Sequence, residues 1–269
     1  MRPDEQHKTE RRRLSFYAAL STALERRGVS FDEFYPRGDA LARRMLEEYG
    51  AIFLAEGVAL PRSYIFESEE EVVRFQREAG WAAHDFDGVT VELQPSAMRA
   101  LLRACEEARS SGLDVSPRGG SEAGRRSFDD SLRLWRSRCD PALDHWCAEG
   151  RLDTSEAERV RRMGTREQVA AVLELEGRGL FFSKDLKKTI LHSVAAPGAS
   201  QHLHMLAFDA AEYEDARVRS VLARHGWFQT VLSDLPHFTY LGLPEEKLPS
   251  RGLRRVESHG QTFWVPNTQ

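Results

Sequence analysis

Apolar residues along this chain fall mostly in a helical rhythm. Leu41, Met45, Leu46 and Tyr49 recur at three- and four-residue spacing and stop at Gly50, a residue suited to the position after a helix end. A polar, Arg-rich helix is predicted over 10–27, ending at Gly28, and a short amphipathic one over 69–78 around Val72, Val73 and Phe75. Met98, Leu101, Leu102, Cys105 and Ala108 mark the inner face of a further helix that Ser96 is placed to cap. Ser127 with Asp130 forms a capping-box pattern opening a helix with Phe128, Leu132 and Trp135 on one side. Residues 140–180 read as helical, with starts at Thr154 and near Thr165. Strand signals are few and short: 52–54, 64–66, 89–93, 113–116, 203–209, 227–231 and 238–241, with a helix predicted over 213–225. Loops are predicted at 80–88, at the Gly- and Arg-rich stretch 117–126, and at 183–200, where Pro197-Gly198 breaks any pattern. Helices in runs with few strands predict an α+β protein, with a small, mostly antiparallel sheet packed by helices.

The division that follows has three parts. Residues 1–88 form a helical N-terminal region with short strands, 89–243 carry the main domain, and 244–269 form a C-terminal tail. The chain has 269 residues, enough for a sizeable core, and 41% hydrophobic with 30% charged residues is an ordinary globular balance. Lys and Arg total 38 against 42 Asp and Glu, a net charge of −4 that argues against a nucleic-acid partner. No apolar run is long enough for a membrane span, and no export signal is visible in the charged first residues. Three cysteines, Cys105, Cys139 and Cys147, lack any CxxC spacing. Cys105 sits on an apolar helix face, and whether Cys139 and Cys147 pair is left open by their spacing.

Nine histidines are scattered along the chain. His225 falls in the last turn of a predicted helix, where a cation suits the dipole. One segment differs, Ser200-Gln201-His202-Leu203-His204-Met205-Leu206-Ala207-Phe208-Asp209, followed downstream by Asp234-Leu235-Pro236-His237-Phe238. Two imidazoles and one carboxylate, with a fourth position left to water, make the donor set of a catalytic zinc ion. A further carboxylate can then accept the proton of that water.

These segments resemble the zinc D-alanyl-D-alanine carboxypeptidase family, which includes D-Ala-D-Ala dipeptidases and phage L-alanyl-D-glutamate endolysins. Its pattern is Ser-x-His, an Asp seven residues after that His, and later an acidic residue three before a final His with an aromatic next. Ser200, His202 and Asp209 match the first part, and Asp234, His237 and Phe238 the second. Arg126-Ser127-Phe128, with Leu134-Trp135 following, resembles the family's upstream Tyr-Arg-Ser segment; Arg118 is the alternative arginine. The resemblance spans roughly 90–243.

The resemblance implies Zn2+ held by His202, Asp209 and His237, with Asp234 as general base. It implies Arg126 or Arg118 on the substrate carbonyl and Ser200 on the substrate backbone or terminal carboxylate. The implied activity is a zinc metallopeptidase, a hydrolase acting on short D-amino-acid-containing peptides such as peptidoglycan stems. Carboxypeptidase and endopeptidase action are both open, and the cell wall substrate implies the cell envelope or periplasm. The alternative is a non-hydrolytic zinc- or cell-wall-peptide-binding protein on the same fold.

Three positions depart from the pattern. Met205 stands where the family has Gly, Asp234 is one methylene shorter than the usual Glu, and Pro236 replaces Trp. The first bears on geometry. Seven residues of strand span about 23 Å, yet two ligands of one zinc each lie about 2 Å from it. The chain between His202 and Asp209 must therefore bend, and Met bends less freely than Gly. His204 is a rival ligand, since a strand over 203–209 would put it on the same side as His202.

Overall fold

The structure, a computed structural model, describes residues 15–268; the start of the predicted helix 10–27 and the charged first residues lie outside these. The fold is α+β: nine α-helices among the described residues and three small antiparallel sheets. No described helix is long and apolar enough to cross a membrane.

Helix α1 (Phe16–Arg26) is capped by Ser15, α2 (Phe31–Phe34) by Ser30 and α3 (Ala40–Tyr49) by Asp39, each side chain accepting a backbone N–H of the first turn. The chain then passes through a buried 3-10 turn, Gly50–Leu54, where the apolar run predicted a strand. Residues 64–66 form no strand either; Tyr64, Ile65 and Phe66 are buried in an irregular crossing. A short apolar run records burial, not backbone shape.

Helix α4 (Glu69–Ala79) leads into a hairpin of β1 (Ala82–Phe86) and β2 (Val89–Leu93). The sequence reading placed β1 in a loop, because its residues are largely exposed and lack an apolar face. Helix α5 (Pro95–Ser110) begins one residue before its predicted cap: Pro95 occupies the first turn, and Ser96 accepts from Arg99 Nη2 instead. Residues 113–116 form no strand; the chain makes a single bridge between Pro117 and Ala210.

Helix α6 (Phe128–Ala148) opens with the predicted capping box, Asp130 N–H donating to Ser127 Oγ at 3.0 Å and Ser127 N–H to Asp130 Oδ2 at 3.3 Å. It runs through Pro141. Helices α7 (Thr154–Arg162) and α8 (Thr165–Gly177) follow. Cys105, Cys139 and Cys147 are all free.

After an irregular stretch, a 3-10 turn (Gln201–His204) leads into β3 (Ala207–Asp209), then α9 (Ala216–Arg224), β4 (Trp227–Phe228) and β5 (His237–Tyr240). These strands form the central sheet in the order β3-β5-β4. A last hairpin, β6 (Leu253–Ser258) with β7 (Gln261–Pro266), buries Phe263 and Trp264, and Trp264 N–H donates to Gln229 O at 2.8 Å. One hydrophobic cluster draws on all three stretches of sequence, from Phe16 and Leu46 through Trp135 and Phe208 to Trp264.

Candidate metal centre

His202, Asp209 and His237 meet at one point. The central sheet brings the last two together. In the β3–β5 register Asp209 lies directly across from His237, and side chains of such a pair share one face of the sheet. His202 arrives from the 3-10 turn that precedes β3. The segment predicted as a continuous strand is therefore a tight turn, a bend and three residues of strand. Met205 makes the bend, with φ 56° and ψ 34° in the left-handed region. That is the conformation glycine adopts without penalty, which explains why Gly suits the position. Met205 is fully buried, and its N–H donates to His202 O while its carbonyl accepts from Gln94 N–H, both at 3.0 Å. The Gln94 side chain pins the same turn through the His204 carbonyl at 2.8 Å.

The three inward atoms are His202 Nε2, Asp209 Oδ1 and His237 Nδ1. Their separations are 3.3 Å (His202 to Asp209), 3.2 Å (Asp209 to His237) and 3.2 Å (His202 to His237). The outward atoms decide what these carry. His202 Nδ1 lies 2.6 Å from Gly124 O, an acceptor, so Nδ1 bears the proton. His237 Nε2 lies 2.9 Å from Gln201 Oε1. That amide is oriented by its own Nε2, which donates to Tyr49 O at 2.9 Å, and by the Thr239 hydroxyl donating to Oε1. His237 Nε2 therefore bears the proton. In the neutral rings, His202 Nε2 and His237 Nδ1 are both bare. The second oxygen of Asp209 accepts from Arg126 Nη2 at 2.7 Å. Each of the three side chains is thus held from behind by a hydrogen bond that fixes its orientation.

Burial pushes His202 down to about 4, with the Arg126 charge adding to the effect and Asp209 opposing it. Desolvation opposes ionisation of Asp209, but contacts with His202 and His237 outweigh it and hold the carboxyl well below its usual range. A buried group of this kind can hold a metal ion.

His204 stands outside this group. On a 3-10 turn, residues two apart face different directions. Its ring is packed among Phe53, Phe66 and Phe75, with centroids 5.8, 5.3 and 5.9 Å away, and neither ring nitrogen makes a well-formed hydrogen bond among the described residues. The expected strand, which would have put both histidines on one face, is absent here.

The centre opens into a cleft of about 550 Å3. Ser200, Arg118, Arg126 and Asp234 all line it, so every site residue read from the sequence is at this one place. Arg126 precedes the cap of α6, and its Nε donates to Glu122 O at 2.8 Å. Arg118 is exposed at the rim, its guanidinium 5.1 Å from the Tyr213 ring centroid. Asp234 stands on the turn before β5, and its carbonyl accepts from His237 N–H at 3.3 Å. Its side chain is open to the cleft but crowded by protein. Lost hydration raises its carboxyl pKa and the Asp209 charge adds, while His237, Arg126 and Arg118 pull it down.

Sequence reading missed Gly124 and Gln201. Gly124 packs so closely on β2 that a Cβ would lie 2.7 Å from Val91 Cγ1 and 2.8 Å from Glu92 O. Only glycine lets its carbonyl reach His202. Gln201 looks like any polar residue between Ser and His, and no local pattern announces its buried amide. No protein-family model matches this chain, and no curated protein matches it.

Proposed function

We propose that His202, Asp209 and His237 hold one zinc ion and that the protein is a metallopeptidase cleaving short peptides with D-amino acids, such as peptidoglycan stems. The observation that carries the metal is the pair of bare ring nitrogens facing a carboxylate. Zinc is favoured by the size of the triangle. Ligands about 2.0–2.1 Å from zinc at tetrahedral angles lie about 3.3 Å apart, against the 3.2–3.3 Å separations here. The substrate class comes from the resemblance of Ser200-x-His202, Asp209 and Asp234-x-x-His237 to the zinc carboxypeptidase pattern.

A zinc ion with a fourth position open supplies Lewis acidity and brings the pKa of a water it binds to about 7. The chain's own residues supply the rest. Asp234, facing the cleft beside His237 but outside the triangle, takes the proton from the attacking water and passes it to the leaving amine. Its raised pKa suits a group that must give the proton back. Arg126 holds Asp209 Oδ2, leaving Oδ1 to face the two imidazoles, and, with Arg118 at the rim, would supply positive charge where the carbonyl oxygen becomes an anion. Ser200 is set in the wall to accept or donate to the substrate backbone.

Purified protein should contain about one zinc per chain. It should release product from peptides ending in D-Ala-D-Ala or containing L-Ala-D-Glu, lose that activity to a chelator and regain it with zinc. Zinc-loaded protein that binds such peptides but cleaves none would replace the enzyme with a peptide-binding protein.

A further inference from the structure

Helix α6 starts beside the metal centre and runs along the cleft. Ser131, Leu134 and Arg138, at helical spacing, line it from this one element. The charges along the cleft are mostly spoken for. Arg126 is bound to Asp209, Arg133 bridges Asp130 at 3.1 Å, and Arg118 lies over Tyr213. Arg138 is different. Pro141 has no N–H, so the carbonyl of Ser137 four residues back lacks its helical donor. Arg138 Nη1 donates to that carbonyl at 3.3 Å and to Ser137 Oγ at 3.1 Å. This fixes one edge of the guanidinium. Nε is buried with no hydrogen-bond partner among the described residues, and no acidic side chain is bridged to it. A permanently charged, half-committed guanidinium in the wall of a cleft is a receptor for a carboxylate.

We propose that Arg138 binds a substrate carboxylate at the far end of the cleft, so that the preferred substrate is an acidic peptide reaching along α6. The inference rests on the metal reading only for where the scissile bond sits. At 1.5 Å per residue, Arg138 lies about 16 Å along the axis from Ser127. At about 3.3 Å per residue of extended peptide, the carboxylate stands roughly three to five residues from the cleaved bond. That length belongs to an endopeptidase, or to an exopeptidase reading a long stem, and not to a dipeptidase.

The test uses calorimetry on the zinc-loaded full chain, without turnover. The probes carry a hydroxamate at one end to anchor on the metal, then three glycines, then Glu amide, Gln with a free carboxylate, or Gln amide. At least one carboxylate probe should bind about tenfold tighter than the neutral one, as a charge-assisted pair would give. Which of the two does so tells an acidic side chain from a chain end. Arg138→Gln should erase the difference, and Arg138→Lys should restore part of it. Affinity for acetohydroxamate, which cannot reach Arg138, and zinc content should stay unchanged in both variants, a check that they fold. Equal affinity for all three probes, or a preference that survives Arg138→Gln, overturns the proposal. Protein that holds no zinc and ignores acetohydroxamate overturns the metal reading and this one with it, and is a distinct result.

Discussion

His202 and His204 stand two residues apart on the same 3-10 turn, and by most local measures they are alike. Both are buried, and burial pushes both down to about 4. Their surroundings differ. His202 has a carbonyl behind it and faces Asp209 and His237, whereas His204 is enclosed by three aromatic rings and makes no well-formed hydrogen bond among the described residues. A perturbed histidine is therefore not a site in itself. What distinguishes the two is convergence: a fixed tautomer on one side and an anion on the other.

The largest expected effect breaks the comparison outright. His202→Ala or His237→Ala should remove nearly all bound zinc, measured by elemental analysis, while His204→Leu should keep it. Loss of zinc from His204→Leu with retention in His202→Ala would exchange the roles of the two residues.

The next effect separates two carboxylates in the same way. Asp209→Asn should lower zinc content, because a ligand is weakened. Asp234→Asn should keep the metal and lose on the order of 10²–10⁴ in rate, the contribution of a general base. Near-normal turnover by zinc-loaded Asp234→Asn would take Asp234 out of the mechanism.

Much of this centre was legible because its determinants are local. The resemblance of Ser200-x-His202, Asp209 and Asp234-x-x-His237 to one family pattern, more than spacing alone, picked out side chains that the structure brings together, and Ser127 with Asp130 located the start of α6, just after Arg126. The failures share a cause. Whether 203–209 was strand or turn depended on Met205 adopting a left-handed backbone, which a Met side chain does not advertise. The hairpin strand β1 was missed because it is exposed on both faces, and 52–54 was misread because a buried 3-10 turn and a buried strand share one apolar pattern. Gly124 and Gln201 act across long sequence separations, and no spacing encodes them.

His204 also predicts a pH dependence of its own. Its folded pKa of about 4 lies below the ordinary 6.5, burial being the main cause, with the Ser200 and Gln201 carbonyls opposing slightly. Between those values the unfolded chain binds a proton that the folded one refuses. The stability contribution is thus intact above about pH 6.5 and is lost as pH falls toward 4. Each pKa unit is about 1.4 kcal/mol, so the loss is on the order of 3 kcal/mol. Denaturant melts of His204→Leu against wild type at several pH values should show the variant losing less on acidification. Parallel pH profiles would mean that the ring takes up its proton inside the folded protein.

The smallest effect probes the support behind a ligand. Gln201 is the sole described side chain accepting from His237 Nε2–H, and its amide is itself locked by Tyr49 O and Thr239. Gln201→Leu keeps the volume but removes that acceptor. His237 is then free to place its proton on Nδ1, the atom that must stay bare to bind metal. The protein must select the right tautomer before binding, and affinity falls by the cost of that selection. Loss of such an outer partner typically weakens metal binding 10–100-fold, whereas removal of a ligand abolishes it. Chelator competition should therefore rank Gln201→Leu between wild type and His237→Ala, with His204→Leu indistinguishable from wild type. If Gln201→Leu also matches wild type, the His237 tautomer is set by something other than the amide, and the contrast between supported and unsupported histidines fails at this residue.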